Sequence, residues 1–296
     1  MRKIKGKQII IGVGIFVLLL IVVEVTLRAV WGFGKMPLYA ANDKWEYMPL
    51  PNQSGVRLGN KYYYNSYGMR SAEVDTTKRH VLGLGDSVIH GGVQTDQDSL
   101  ATSLFTAETG VQMLNISVGG WDPDNCAAYL KEYGMFGAEG VFLFVSSGNA
   151  YSNMDFTPTV GVHVNYPDKQ YPCAIAEVWC RYVFSRYIQP IFEDKKEMAL
   201  DPDEMVFNKG FDQLRQMCDK DSIRMIVYLH ASKNELKNHK YNWQGDEIIE
   251  WCEDNGVELI KSLDYDFRES DYRDGIHINS HGQRKVADIM ERAFGF

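Results

Sequence analysis

The chain is poor in cysteine and in clustered positive charge, and both shortages narrow its function. Its 296 residues hold five cysteines, Cys126, Cys173, Cys180, Cys218 and Cys252, with no CxxC pair among them. A zinc ribbon or a dithiol redox motif needs such pairs, so neither is expected. Cys173 and Cys180 are close enough in sequence for a local bridge in an oxidising compartment; unpaired, partly buried thiols are the alternative. No stripe of Lys and Arg occurs after residue 35, and the formal net charge is −8. Phosphate contacts need clustered Lys and Arg, so nucleic acid is not an expected partner. Repeats and low-complexity tracts are missing. So is a dinucleotide loop, because Val88 stands where Gly83-x-Gly85 would need its third glycine. What remains is an ordinary globular composition, 45% apolar and 24% charged, long enough for one α/β domain with appendages.

The first thirty residues depart from that average. Arg2, Lys3, Lys5 and Lys7 precede an uncharged run from Gln8 to Val23. A helix needs about 20 residues to span a bilayer. Extending the run to Val30 includes Glu24 and Arg28, whose i,i+4 spacing lets them pair on one face or snorkel. Trp31 and Phe33 then fall where interfacial aromatics belong. The expectation is a basic cytoplasmic segment over 1–7 and a transmembrane signal anchor over 8–30, with the rest of the chain outside the cytoplasm. A cleaved signal peptide is the rival, but no small-x-small site closely follows the apolar run.

Residues 31–79 are polar and aromatic, with turn residues between short β-like runs in "YMPLPNQSG" and "KYYYNSYGMRS". They read as an extended lead-in on the edge of a domain spanning 80–296. There the rhythm changes. Strands are expected at Val81–Leu84, Gln112–Val118, Val141–Ser146, Ile223–His230 and Val257–Leu263. Helices are expected near Asp98–Thr109, Asp124–Tyr133, Pro202–Lys220, Gly245–Asn255 and Ser280–Ala293. Continuous apolar strands alternating with helices specify a parallel sheet covered on both faces. Such sheets place ligands at the carboxyl ends of their strands. Residues 151–200, rich in Tyr, Phe and Pro, interrupt the alternation as an insertion or flap.

The strand ends carry the chemistry. "GLGDS" closes the first strand with Ser87, "SVGGWDP" follows the second, "SSGNA" follows the third, and "DYRDGIH" precedes the last helix. A serine hydroxyl needs a base to take its proton and a carboxylate to orient that base. Asp274 and His277, three apart in a turn, supply both. Asp266 and Asp271 fit the spacing less well, and His90 lacks a partner carboxylate. The oxyanion formed on attack needs preorganised donors. The Ser87 N–H, a glycine N–H after the second strand and the Asn149 amide are candidates. Asp86 beside the serine supports the turn. His230, at a strand end, binds substrate or buttresses the pocket. Trp121, Tyr151 and Phe156 line a sugar platform or pack a flap. His277 and His281 have a helical zinc spacing but no HExxH glutamate or third ligand, so no metal is expected.

These residues, in this order, resemble the SGNH hydrolases, the GDSL esterase/lipase family, over residues 80–296. The resemblance is densest in Val81–Ile89 and Arg273–Met290. It implies an α/β fold, the three-layer α/β/α flavodoxin-like sandwich with a parallel central sheet, and ester hydrolysis through an acyl-enzyme without a cofactor. It implies Ser87 as nucleophile, Gly120 and Asn149 as oxyanion donors beside the Ser87 N–H, and Asp274 with His277 completing the triad. Two departures stand in the third block, where Ser147 replaces the family's glycine and Ala150 its aspartate. Asn153 takes the role of Asn149 if the register is shifted, and Gly119 competes with Gly120. "NSYGMRS" and the helix ahead of it are similar to membrane-anchored bacterial members associated with envelope polysaccharides. The expected protein is a single-pass serine esterase of the bacterial cytoplasmic membrane. Its substrates are small acyl, in particular O-acetyl, esters on envelope or extracellular glycans. An O-acyltransferase on the same triad and a non-catalytic glycan-binding or assembly protein are the alternatives.

Overall fold

The computed structural model describes residues 6–192 and 205–296. The first five residues of the basic segment, positions 193–200 of the insertion and the start of the helix expected from Pro202 lie outside the described residues.

Five parallel strands form the central sheet: β5 (His80–Gly85), β6 (Gln112–Ser117), β7 (Gly140–Ser146), β8 (Arg224–His230) and β9 (Glu258–Lys261). Their spatial order is β6-β5-β7-β8-β9, the flavodoxin-like order with its switch point between β5 and β7. All five fall where the apolar runs place them. Side chains alternate between two cores, because successive residues of a strand face opposite sides. Val141, Leu143, Val145, Val227 and Leu229 pack with α4 (Pro123–Tyr133), α7 (Gly210–Asp221) and α9 (Trp243–Asp254). Phe142, Phe144, Ile226 and Tyr228 pack with α2 (Ser87–His90), α3 (Ala101–Thr109) and α10 (Ser280–Phe294). The result is the three-layer α/β/α sandwich. A further short helix, α8 (Lys233–Asn238), follows β8.

Outside this frame, α1 spans Gly6–Trp31 with none of its residues buried. It is the one helix among the described residues long and apolar enough to cross a membrane. The lead-in forms two hairpins, β1 (Tyr39–Asn42) with β2 (Glu46–Pro49) and β3 (Gln53–Arg57) with β4 (Asn60–Tyr64). It is more than an edge. Tyr39, Trp45, Tyr47, Met48 and Met69 join the core on the α4 side of the sheet. The insertion contributes α5 (Ala174–Val178), which continues as a π-helix over Trp179–Ile188 and as α6 (Gln189–Phe192). All five cysteines, Cys173 and Cys180 included, are free thiols.

Two acid groups tie lead-in, insertion and α1 together. Glu24 pairs with Arg28 at 2.6 Å and also accepts the Ala174 and Ile175 N–H groups at 2.8 and 2.9 Å, satisfying the start of α5. Glu177 of α5 accepts from Arg57 of β3 and, at 2.5 Å, from the Gly34 N–H. The Arg57 and Glu177 side chains are 1% and 0% exposed. Removing one partner of a buried pair leaves an uncompensated charge, which costs roughly 3–5 kcal/mol, whereas a well-packed apolar pair is near neutral. Glu177→Gln is therefore expected to lower the thermal midpoint of the detergent-solubilised chain by several degrees, and the double change Arg57→Met/Glu177→Met to recover most of that loss.

Candidate active site

The turn that presents Ser87 is forced by a close approach. Gly85 ends β5 with φ +150°, and a Cβ there would lie 2.6 Å from the Phe144 carbonyl oxygen of β7. Glycine alone fits both the angle and the gap. Asp86 then caps α2 by accepting the Val88 N–H at 2.8 Å. Ser87 opens the helix, so its own N–H has no intrahelical partner.

The last loop meets this serine from 190 positions away. Ser87 Oγ lies 2.8 Å from His277 Nε2. His277 Nδ1 lies 2.8 Å from Asp274 Oδ2 and 3.1 Å from Oδ1. Nδ1 faces a carboxylate and so carries the proton, which leaves Nε2 as acceptor for the serine hydroxyl. Asp274 Oδ1 also accepts the N–H groups of Ile276 at 3.0 Å and His277 at 2.8 Å. Partial burial pushes the Asp274 carboxyl up, but these donors and the imidazole outweigh it and hold the group below its usual range.

The loop's shape is held from below. The Arg273 N–H donates to the His277 carbonyl at 2.8 Å, and Tyr272 pairs with Ile278 as an antiparallel bridge. Tyr272 Oη donates to the Ala231 carbonyl at 2.7 Å, and the Lys233 N–H to the Gly275 carbonyl at 2.8 Å. His230 belongs to this support. It is fully buried and lies 2.9 Å from the Ile276 carbonyl through Nε2, which must therefore be protonated. It does not border the cavity at Ser87, and its contact with the Ile276 carbonyl buttresses the loop.

A cavity of about 340 Å³ opens at Ser87 and His277. Gly119, not Gly120, borders it; a Cβ on Gly119 would sit 3.6 Å from that of Ser87. The Gly119 carbonyl accepts the hydroxyls of Tyr47 at 2.9 Å and Tyr166 at 2.8 Å. Because a trans peptide points its C=O and N–H opposite ways, these two bonds also set the direction of the Gly120 N–H. Asn149 sits in the short turn Ser147–Ala150 that follows β7. Its Nδ2 donates to Asp122 Oδ1 at 2.7 Å, its Oδ1 accepts from the Ser146 N–H at 2.7 Å, and it does not border the cavity. Burial pushes the Asp122 carboxyl up to about 7, against the donations from Ser152 and Asn149. Asn153 donates to the carbonyls of Tyr151 and Val206 and is no substitute.

The aromatic candidates also move. Trp121 is 1% exposed and donates to the Tyr47 carbonyl at 2.9 Å, so it is core and not platform. Tyr151 packs on Trp243 and Phe207 away from the cavity. The rings that border it are Tyr39, Tyr64 and Tyr166, from the lead-in and the insertion. The tyrosine density of "KYYYNSYG" signalled Tyr64, and the Tyr-rich composition of the insertion Tyr166. Arg181, which carried no motif, and Arg273, from "DYRDGIH", also border it. His281 contacts Asp271 at 2.6 Å, and no metal-holding group of three or more His, Cys, Asp or Glu occurs among the described residues.

Burial lowers the His230 pKa to about 4. The unfolded chain therefore takes up this proton first, near the ordinary value of about 6.5. The contribution of the neutral imidazole to stability is complete above that value and is lost as pH falls toward 4. In thermal melts the advantage of the parent chain over His230→Gln is expected to shrink between pH 7.5 and 4.5.

No family model and no curated protein matches the chain. Among solved structures, it is similar to a member of the lipolytic protein G-D-S-L family from Veillonella parvula at 9% identity, covering 73% of this chain and 98% of that one with a TM-score of 0.40. It is similar to LAE5, an alpha/beta hydrolase enzyme from the metagenome of Lake Arreo, at 15% identity, covering 73% and 95% with a TM-score of 0.42. It is also similar to the salicylyl-acyltransferase SsfX3 of a tetracycline biosynthetic pathway at 12% identity, covering 74% of this chain and 54% of that one with a TM-score of 0.42.

Proposed function

We propose that the chain is a serine esterase of the SGNH hydrolase type. The observation that carries this reading is the chain of contacts from Ser87 Oγ through His277 to Asp274, each 2.8 Å long. Ser87 Oγ attacks the acyl carbon while His277 Nε2 takes its proton. The tetrahedral oxyanion is stabilised by the Ser87 N–H and by an N–H of the Gly119–Gly120 loop. Collapse breaks the ester C–O bond, and His277 returns the proton to the leaving alkoxide. Water, deprotonated by His277, then attacks the acyl-enzyme, and the carboxylic acid leaves as Ser87 recovers its proton. Asp274 holds the imidazole in the required tautomer throughout and stabilises the imidazolium. No cofactor enters any of these steps.

A cavity of about 340 Å³ is at the small end of the ligand-pocket range, and its tyrosine-rich wall suits an acylated sugar. The substrate class is a small acyl ester, most simply O-acetyl, on an envelope or extracellular glycan. The apolar α1 and the basic residues Arg2, Lys3, Lys5 and Lys7 at its start support a single-pass protein of the bacterial cytoplasmic membrane with this site outside the cytoplasm. Transfer of the acyl group to a sugar hydroxyl in place of water uses the same residues, so acetate release is to be measured beside acetyl transfer to a glycan acceptor.

Ser87→Ala is expected to lower the kcat for p-nitrophenyl acetate by roughly 10⁴–10⁶-fold, and Asp274→Asn by about 10⁴-fold. Ser87→Ala is also expected to abolish labelling by a fluorophosphonate probe. A parent chain that neither turns over the ester nor reacts with the probe makes the protein a binder and not an enzyme.

A further inference from the structure

Three arginines border the cavity that holds Ser87, and they are not equivalent. Arg57 is fully buried and neutralised by Glu177. Arg181, one turn beyond Glu177 in the insertion, and Arg273, beside Asp274, have no carboxylate within 4 Å among the described residues. Asp274 is occupied by the His277 ring and two backbone N–H groups. A guanidinium has five N–H donors. Arg181 directs one to Asn165 Oδ1 at 2.9 Å and another to the Met36 sulfur at 3.1 Å, a weak acceptor, while its Nε is buried without a partner. Arg273 makes two bonds through Nη1, to the Gly91 carbonyl and Thr95 Oγ1, both at 3.3 Å. Arg70, buried just behind, is a contrast: it donates to the His90, Gly92 and Thr95 carbonyls and to Gln97 Oε1. Its donors are spent on protein, whereas Arg181 and Arg273, which border the cavity, keep N–H groups without a protein acceptor. Burial disfavours the charge of both, and the nearest acids, Glu177 for Arg181 and Asp274 for Arg273, offset only part of that cost.

We infer that Arg181 and Arg273 receive an anionic group of the substrate, a carboxylate or a phosphate, so that the ester cleaved at Ser87 is carried by an acidic sugar. Planar guanidinium forks match both oxyanions in two-point hydrogen bonds. The anion adds counter-charge at this wall, where Glu177 and Asp274 are already engaged by Arg57 and His277, and it anchors the sugar while the acyl group reaches Ser87. Reading the anion as part of an ester substrate rests on the esterase proposal above; binding of the anion does not.

The test uses the full chain in detergent. Acetate release is measured from mono-O-acetyl glucose, mono-O-acetyl glucuronate and mono-O-acetyl glucose 6-phosphate. At least one acidic ester is expected to exceed the neutral one in kcat/KM by roughly 10-fold or more, and Arg181→Gln or Arg273→Gln to erase most of that ratio. Arg181→Lys should keep part of it, and Arg186→Gln, on the same helix but outside the cavity, all of it. Which acidic ester wins identifies the oxyanion. Calorimetric binding of glucuronate and glucose 6-phosphate to the Ser87→Ala chain decides the matter without turnover. If no ester is hydrolysed yet an anion binds and both Gln variants lose it, the esterase reading falls and the anion site stands. Equal use of neutral and acidic esters, or anion binding that survives both Gln variants, overturns this inference.

Discussion

One hydrogen bond, from Ser87 to His277, joins segments 190 positions apart, and most of the molecule's organisation serves to hold its two ends in place. One end is rigid because β5 is paired on both sides, between β6 and β7, and Gly85 turns against the β7 backbone. The other end is a loop, and loops hold a shape only when their polar groups are satisfied. Here Tyr272, His230 and the Lys233 N–H bond the loop to the end of β8, while Asp271 accepts from Lys285 of α10 at 2.8 Å. Gln283 ties α10 to the Val88 carbonyl at 2.9 Å and to the Ala101 N–H at 2.8 Å. The serine and its base are thus braced by the same helix.

The cavity is not made by the sandwich alone. The sheet edge supplies the reacting groups, and the lead-in and insertion supply the wall opposite. Besides their place in the core, these two segments are fixed by the buried Arg57–Glu177 pair and by the contacts of Tyr47 and Tyr166 with the Gly119 carbonyl. The same tyrosines orient the loop that carries a candidate oxyanion donor. Substrate recognition and the geometry of the reacting end are therefore mechanically linked. A change in the hairpins, far from Ser87 in sequence, acts on the site through one peptide plane.

Asn149 shows how burial reassigns a residue. Its amide was expected to face the reacting carbonyl, yet beside it stands Asp122, partly stripped of water and in need of donors. The departure from the usual third block, with Ser147 and Ala150 flanking the asparagine, coincides with this altered engagement. Ser147 itself donates to Glu235 at 2.5 Å, tying the turn to α8.

The sequence by itself determined the sandwich, its five strands and the Ser87–Asp274–His277 set, because these depend on local properties. Apolar runs of strand length, a glycine before the serine and an Asp-x-x-His turn keep their meaning in any context that buries them. The apolar helix at the start was legible for the same reason. Tertiary structure decided what no local pattern encodes: that Trp121 and His230 are internal supports, that Gly119 faces the serine, that Asn149 donates to Asp122, and that tyrosines and arginines from distant segments close the cavity. Each of those outcomes depends on which polar groups meet once water is removed, and that is a property of the assembled chain.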